Sequence, residues 1–312
     1  DRKLSLWKLA GPGAVMGGLS IGAGELVIWP IITAQHGAGL AWAAALGVFL
    51  QMWVNIEVGR WTVATGESPY RGFGRLFRGF LVAFILLNVF GWILPGWGRA
   101  SGLALKALFL GPDHESTDTL WTAITFVGVA LVLFGPRRIY IAVERIVGIL
   151  VILITIGLIY IAFQVGTGEY LRQLGGGLVN FTNIRDYVGG KEGMLTAKMF
   201  FIAVVFAGAG GTANLFYAYY LRDKQIGMGA RIPVIINPVR GRGEASTESG
   251  YTFPDDKINR KRFKKWMNFI YLDQAEPFFV LLLAKVDALD AASINHGGSA
   301  PTVQVLVFMY VS

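Results

Sequence analysis

The chain has 312 residues, 54% of them hydrophobic and 15% charged, with a formal net charge of +8. Soluble domains carry about 25% charged residues. Here the deficit falls in apolar blocks of about 20 residues, the length that spans a bilayer, so an ordinary soluble domain is excluded. Cysteine is absent, which removes a disulfide framework, a thiolate metal site and a thiol nucleophile.

The apolar blocks predict one transmembrane domain over 1–312, with spans at 10–34, 40–64, 80–110, 120–134, 146–165, 195–221 and 269–284. The third is long and is expected to bend at Pro95, because proline removes a helix hydrogen bond. The seventh is weaker and contains Asp273, Glu276 and Pro277. A partial span, 303–311, leads to the last residue, and the chain is expected to be truncated at its C-terminus because it ends inside an apolar stretch. Of the residues, 41 are glycine. Most of these suit close helix–helix contact in lipid.

Lys and Arg concentrate in alternate loops. Arg71, Arg75, Arg78, Arg137 and Arg138 fall on the same side as the N-terminal Arg2, Lys3 and Lys8. The excess of basic residues on cytoplasmic loops then places the N-terminus in the cytoplasm, and a prokaryotic plasma membrane is the expected location. The same distribution argues against nucleic acid as partner. The loop 222–268 is strongly basic. It reads as a cytoplasmic loop obeying topology, with anionic lipid headgroups as the sharper alternative. Asp255, Asp256 and Asn259 within it read as a surface charge run rather than a metal-diphosphate motif.

Two spans are interrupted by glycine at their middles. The first breaks at Gly22, Ala23, Gly24 and Glu25, the second at Gly208, Ala209, Gly210, Gly211 and Thr212. Glycine lets a membrane helix leave helical geometry. Lipid offers the freed backbone groups no partner, so such backbone lines a cavity or packs against protein. A pair of interrupted spans points to the binding site of a transporter. Glu25 is a carboxylate near the middle of span one, and ionisable groups at that depth are functional by default. It would coordinate or charge-balance a cation together with carbonyls near Gly22 and Gly24, or cap the second half-helix, whose dipole favours a carboxylate; the two roles are compatible. Thr212 and Asn214 offer neutral oxygens that line the same cavity or satisfy backbone groups freed by the break.

Glu57 and Arg60 stand one helical turn apart and are expected to pair. Tyr217, Tyr219 and Tyr220 are expected to form an interfacial belt. No buried relay of titratable groups is visible. No Walker motif, nucleophile elbow or zinc-protease motif occurs, so ATP-driven transport and enzymatic activity have no support, and no cofactor is expected.

The order and spacing of several motifs resemble the Nramp (natural resistance-associated macrophage protein) metal transporters. Gly11-Pro12-Gly13 precedes Gly22-Ala23-Gly24-Glu25 at the distance separating a Gly-Pro-Gly from an Asp-Pro-Gly-Asn break in that family. Arg60 precedes Thr65-Gly66 as an Arg precedes a Thr-Gly there. Thr212-Ala213-Asn214-Leu215-Phe216 stands where the family has Pro-His-Asn-Leu-Tyr. The resemblance covers about 8–222. It implies an all-α LeuT-like fold of two inverted five-helix repeats with spans one and six discontinuous, of which this chain supplies the first repeat and about two helices of the second.

The departures fall on the chemistry. The family's metal-binding Asp aligns with Gly22 and its Asn with Glu25. Its metal-binding Met aligns with Gly211, its carbonyl donor with Gly208, and two histidines with Ala213 and Ala218. A metal site here would therefore draw on Glu25, Gly22 and Gly208. Oxygen donors alone suit hard ions, so the resemblance implies a secondary transporter of a divalent cation such as Mg²⁺ or Mn²⁺, working by alternating access without obvious proton coupling, with the ion as substrate. A carrier of an amino acid or other small organic solute, and a membrane sensor or scaffold that has lost transport, remain alternatives.

Overall fold

The structure is a computed structural model that describes residues 15–18, 28–92, 96–111, 114–136, 139–165, 168–181, 184–191, 193–233 and 249–275. Within these residues the elements are helical, apart from an isolated bridge between Val188 and Leu195.

Helix α1 (Trp29–His36) leads through a short 3₁₀ turn (Gly37–Leu40) into α2 (Ala41–Thr65), where the sequence predicts the second span. Gly66 ends α2. Its φ of 72° is left-handed and its N–H donates to the Thr62 carbonyl at 2.8 Å, a stop that glycine makes without steric cost. One face of α2 is buried through Ala44, Val48, Met52 and Ile56, while Leu46, Phe49, Leu50, Trp53 and Val54 are exposed on the other. A helix apolar on both faces suits a membrane span or a protein core, not the amphipathic surface of a soluble domain.

Helix α3 (Pro69–Leu76) lies in the loop that carries Arg71, Arg75 and Arg78, and α4 (Gly79–Trp92) and α5 (Gly96–Leu110) occupy the segment expected as one span bent at Pro95, which lies outside the described residues. The two have different neighbours. Helix α4 packs on α3, while α5 packs along α6 (Asp118–Phe134). Helix α7 (Ile139–Val165) packs on α6 and exposes Ile149, Ile152, Leu153 and Ile156. Helix α8 (Gly168–Val179) and the short α9 (Ile184–Tyr187) lie between the spans expected at 146–165 and 195–221. There, α8 covers the 3₁₀ turn so closely that a Cβ on Gly177 would meet the Ala38 carbonyl oxygen.

Span six is not one helix. Helix α10 (Ala197–Val205) stops, residues 206–210 are irregular, a 3₁₀ turn follows (Gly211–Phe216), and α11 (Tyr217–Asp223) completes the segment. A further 3₁₀ turn (Gly227–Arg231) follows it. Helix α12 (Lys257–Asp273) begins well inside the segment expected as a loop. The reason is local. Asp256 is an N-cap whose side chain accepts from the Asn259 N–H at 2.8 Å, which satisfies one of the orphan donors of the first turn. Asp255 pairs with Arg260 at 2.7 Å, and that hydrogen bond holds its carboxyl below the usual range. The acidic pair is thus the start signal of a helix.

The core lies around α2. Helices α10, α11 and α12 and the 3₁₀ turns at 211–216 and 227–231 all pack on it. Small residues set the spacing. A Cβ on Gly47 would stand 2.3 Å from the Val204 carbonyl oxygen, and one on Gly59 would stand 2.8 Å from Ile270 Cγ2.

Candidate functional site

The glycines at the second break have a conformational reason to be there. Gly210 has φ 71° and Gly211 has φ 51°, values that cost an L side chain strain. Helix α10 has already ended at Val205, and two consecutive residues of positive φ keep the chain from resuming an α-helix before the 3₁₀ turn. The interruption predicted over Gly208, Ala209, Gly210, Gly211 and Thr212 is a physical discontinuity of span six.

Two of its freed backbone groups are met by one side chain on α2. Gln51 Nε2 donates to the Val205 carbonyl at 3.0 Å. Gln51 Oε1 accepts from the Gly210 N–H at 2.9 Å and from Asn214 Nδ2 at 3.3 Å. The amide therefore bridges the end of α10, the break and the turn after it. The approach requires Gly208, where a Cβ would stand 2.7 Å from Gln51 Oε1. Protein at membrane depth must satisfy such groups internally, and Gln51 does so.

Asn214 and Thr212 separate in role. Asn214 is buried, and its Nδ2 also reaches the Gly211 carbonyl at 3.4 Å. It thus helps to satisfy the break, while its Oδ1 has no hydrogen-bond partner among the described residues. Thr212 Oγ1 instead donates to Asn88 Oδ1 on α4 at 3.0 Å, and Asn88 Nδ2 donates to the Phe84 carbonyl at 2.7 Å. Thr212 ties the break to α4.

The second half of span one lies beside the first half of span six. Trp29 is buried, and its Nε1 donates to the Ala203 carbonyl of α10 at 3.0 Å. On the other side of the first break, residues 15–18 approach α7 so closely that a Cβ on Gly18 would meet Val147 Cγ1 at 2.3 Å. Gly22, Ala23, Gly24 and Glu25 lie outside the described residues. Among the described residues no group of three or more His, Cys, Asp or Glu side chains is placed to hold a metal ion.

Two further expectations meet the structure. Glu57 and Arg60 pair at 3.0 Å, both about half exposed, so the pair contributes little. The tyrosines do not form one belt. Tyr217 is fully buried and its hydroxyl donates to Asp273 Oδ2 at 2.6 Å. It stands one turn beyond Asn214, which places it on the face of span six that packs on α2. Tyr219 stacks on Tyr70 beneath Arg222, and Tyr220 packs on Tyr140. Sequence reasoning also missed Gln51, Asn55, Asn88 and Asp273 as organisers of the interior. The signal was present for two of them. Gln51 and Asn55 stand four apart on an otherwise apolar stretch of α2, so they share a face.

No family model matches the sequence, and no curated protein matches it. Among solved structures it is similar to two mutants of the manganese transporter of Eremococcus coleocola, each with TM-score 0.63 at 14% identity over 100% of this chain and 64% of that one. The same transporter in complex with an aromatic bis-isothiourea substituted compound aligns with TM-score 0.68 at 14% identity, over 98% of this chain and 62% of that one. This chain thus spans somewhat less than two thirds of the length of the transporter chains it matches. At 14% identity the likeness establishes the fold, which is the all-α fold of a membrane transporter with a discontinuous sixth span.

Proposed function

We propose that this chain belongs to a secondary transporter that carries a divalent metal cation across a membrane by alternating access, and that it is a distant relative of the Nramp transporters rather than an enzyme. The observation that carries the reading is the break in span six, held open to one side by Gln51 and set beside the second half of span one through Trp29. The manganese transport named for the similar structures agrees with it. The donors that span six offers are oxygens: the Asn214 side chain and backbone carbonyls of the break, of which those of Gly210 and Gly211 already accept a hydrogen bond. Together with Glu25 across the first break they would favour a hard ion, Mg²⁺ or Mn²⁺, over a soft one. The N-terminus is proposed to lie in the cytoplasm of a prokaryotic cell.

One observation weighs against an organic solute with a carboxylate at this break. Such a solute would use backbone N–H groups at the start of the second half of the span, and the Gly210 N–H is already given to Gln51. The test is calorimetric titration of the purified full-length protein with Mg²⁺, Mn²⁺ and Ca²⁺, comparing wild type with Glu25→Gln. Saturable binding that disappears in the variant supports the reading. Absence of binding by all three ions, or binding indifferent to Glu25, overturns it.

A further inference from the structure

Helix α12 runs antiparallel to α2. Gln274, directly after it, accepts from Asn55 Nδ2 at 2.9 Å, and Ile270 packs over Gly59. Four residues of one helix thus match four of the other. Continued at that register, Lys264 stands level with Thr65, where α2 ends. Helix α2 has 25 residues. Its length of about 37 Å exceeds a hydrocarbon core of about 30 Å, so its Thr65 end reaches headgroup depth. The face of α12 turned away from α2 is ordered along the helix. Lys257, Lys261, Lys264 and Lys265 are exposed on one stripe, at i, i+4, i+7 and i+8, opposite the buried Met267 and Ile270. The stripe continues to Tyr271 and Leu272, 38% and 56% exposed. At the helical rise per residue, Lys261 and Lys257 lie about 5 and 10 Å beyond the end of α2, and Tyr271 and Leu272 about 10–12 Å before it.

Cations outermost and apolar groups inward is the order of a phospholipid from headgroup to chain. The lysines also stand four apart, as Lys257 and Lys261 and as Lys261 and Lys265, a like-charge spacing that by itself destabilises a helix. Of the acids before the helix, Asp256 caps its first turn and Asp255 is paired with Arg260. Between 222 and 273 the chain has eleven Lys and Arg against six Asp and Glu, so an excess of cations remains however these acids pair. We propose that the stripe is a docking surface for anionic phospholipid, with the headgroup phosphate on Lys261, Lys264 and Lys265 and an acyl chain along Tyr271 and Leu272. Clusters of Lys and Arg at the membrane end of a helix attract anionic lipid. The occupant is lipid rather than a soluble anion because the cations are continuous with exposed apolar surface, which a free phosphate would leave bare. The surface rests on the membrane reading of the fold and not on metal transport, because Glu25 and the glycines of the break take no part in it.

The experiment is fluorescence titration of the purified full-length protein in neutral detergent with phosphatidylglycerol carrying a labelled acyl chain, against labelled phosphatidylcholine of the same chain length. The expected result for wild type is tighter binding of phosphatidylglycerol, by about tenfold or more, and a preference that salt weakens. Replacing all four lysines, Lys257→Gln, Lys261→Gln, Lys264→Gln and Lys265→Gln, should abolish the preference, and arginine at the same four positions should keep it. If the fourfold glutamine variant does not fold, Lys264→Gln with Lys265→Gln serves instead and should weaken phosphatidylglycerol binding by about tenfold or more, each cation near the surface being worth about fivefold. Glu25→Gln should bind phosphatidylglycerol as wild type does, so failure of the metal reading leaves this result untouched. Equal affinity of wild type for the two lipids overturns the proposal, as does a preference unchanged by the glutamine substitutions. Displacement of the labelled lipid by inorganic phosphate at constant ionic strength would make the stripe a site for soluble anions and would also overturn it.

Discussion

Replacing Gln51 with methionine tests whether one side chain holds the break in span six. Methionine keeps the length of glutamine and its unbranched shape, so the cavity contribution is small. What disappears is the amide. The Val205 carbonyl, the Gly210 N–H and Asn214 Nδ2 each lose a partner. Orphaning a buried backbone group costs about 1–3 kcal/mol, so the two backbone groups alone set an upper range of about 2–6 kcal/mol. Interhelical hydrogen bonds in membranes average only about 0.6 kcal/mol, because the unfolded state in lipid also finds partners; three of them give a floor near 2 kcal/mol. The expected loss is therefore about 2–4 kcal/mol in reversible unfolding from mixed micelles. Amide hydrogen exchange supplies the local readout, and Gly210 should lose protection by more than the helix interior of α2 does. Gly208→Ala should produce a similar loss, since its Cβ would occupy the place of Gln51 Oε1, and combining it with Gln51→Met should cost less than the sum of the two, as for residues that share one interaction. Unchanged stability in Gln51→Met, with Gly210 as protected as in wild type, would refute the account.

Gly47→Ala should destabilise by about 1–3 kcal/mol, the usual cost of overpacking, because its Cβ meets the carbonyl of Val204, backbone that cannot rotate away; thermal unfolding decides it. Of the two left-handed glycines, Gly211→Ala should cost only the backbone strain, about 1 kcal/mol, since a Cβ there meets nothing within 4 Å. Gly210→Ala should cost more, because a Cβ there stands 2.9 Å from Phe206 Cδ1, and equal losses in the two variants would contradict this. Outside the spans, a hydrogen bond from Lys106 at 2.8 Å holds the Asp118 carboxyl below its ordinary value. A lowered folded value means that the contribution is fully present above the ordinary carboxylate range and lost as pH falls through the lowered one. Asp118→Asn should accordingly flatten the acid limb of the stability profile and leave stability at neutral pH nearly unchanged.

Much of this arrangement is legible in the chain because membrane helices announce themselves by length and apolarity. The second span is expected at 40–64 and found at Ala41–Thr65, and the glycines of the second break mark a discontinuity because positive φ has few other occupants. What periodicity cannot convey is which groups satisfy the break. Gln51 lies 159 residues from Gly210 in sequence, and nothing local to Leu50-Gln51-Met52 names its partners. The segment expected as a loop over 222–268 holds a helix that its composition does not announce. Its basic composition, read as solvated coil, continues into α12, whose start is set by an Asp256 cap and whose last turns bury Phe269, Ile270 and Asp273. Charge places a segment outside the bilayer; it does not decide whether that segment is helical.

The way the break is satisfied bears on which parts of the protein can move. Gln51 joins α2 to both sides of the break, Gly47 lets the α10 backbone touch α2, and Gly59 admits Tyr217 and Ile270. These contacts are close-packed and hydrogen-bonded, so α2 and the two halves of span six form a unit that cannot shear without exposing backbone groups. Helix α6 packs against both α5 and α7, α7 also meets the end of span six through Tyr140 on Tyr220 and Glu144 on Lys224, and residues 15–18 of span one lie against α7 while Trp29 of the same span is bonded to α10.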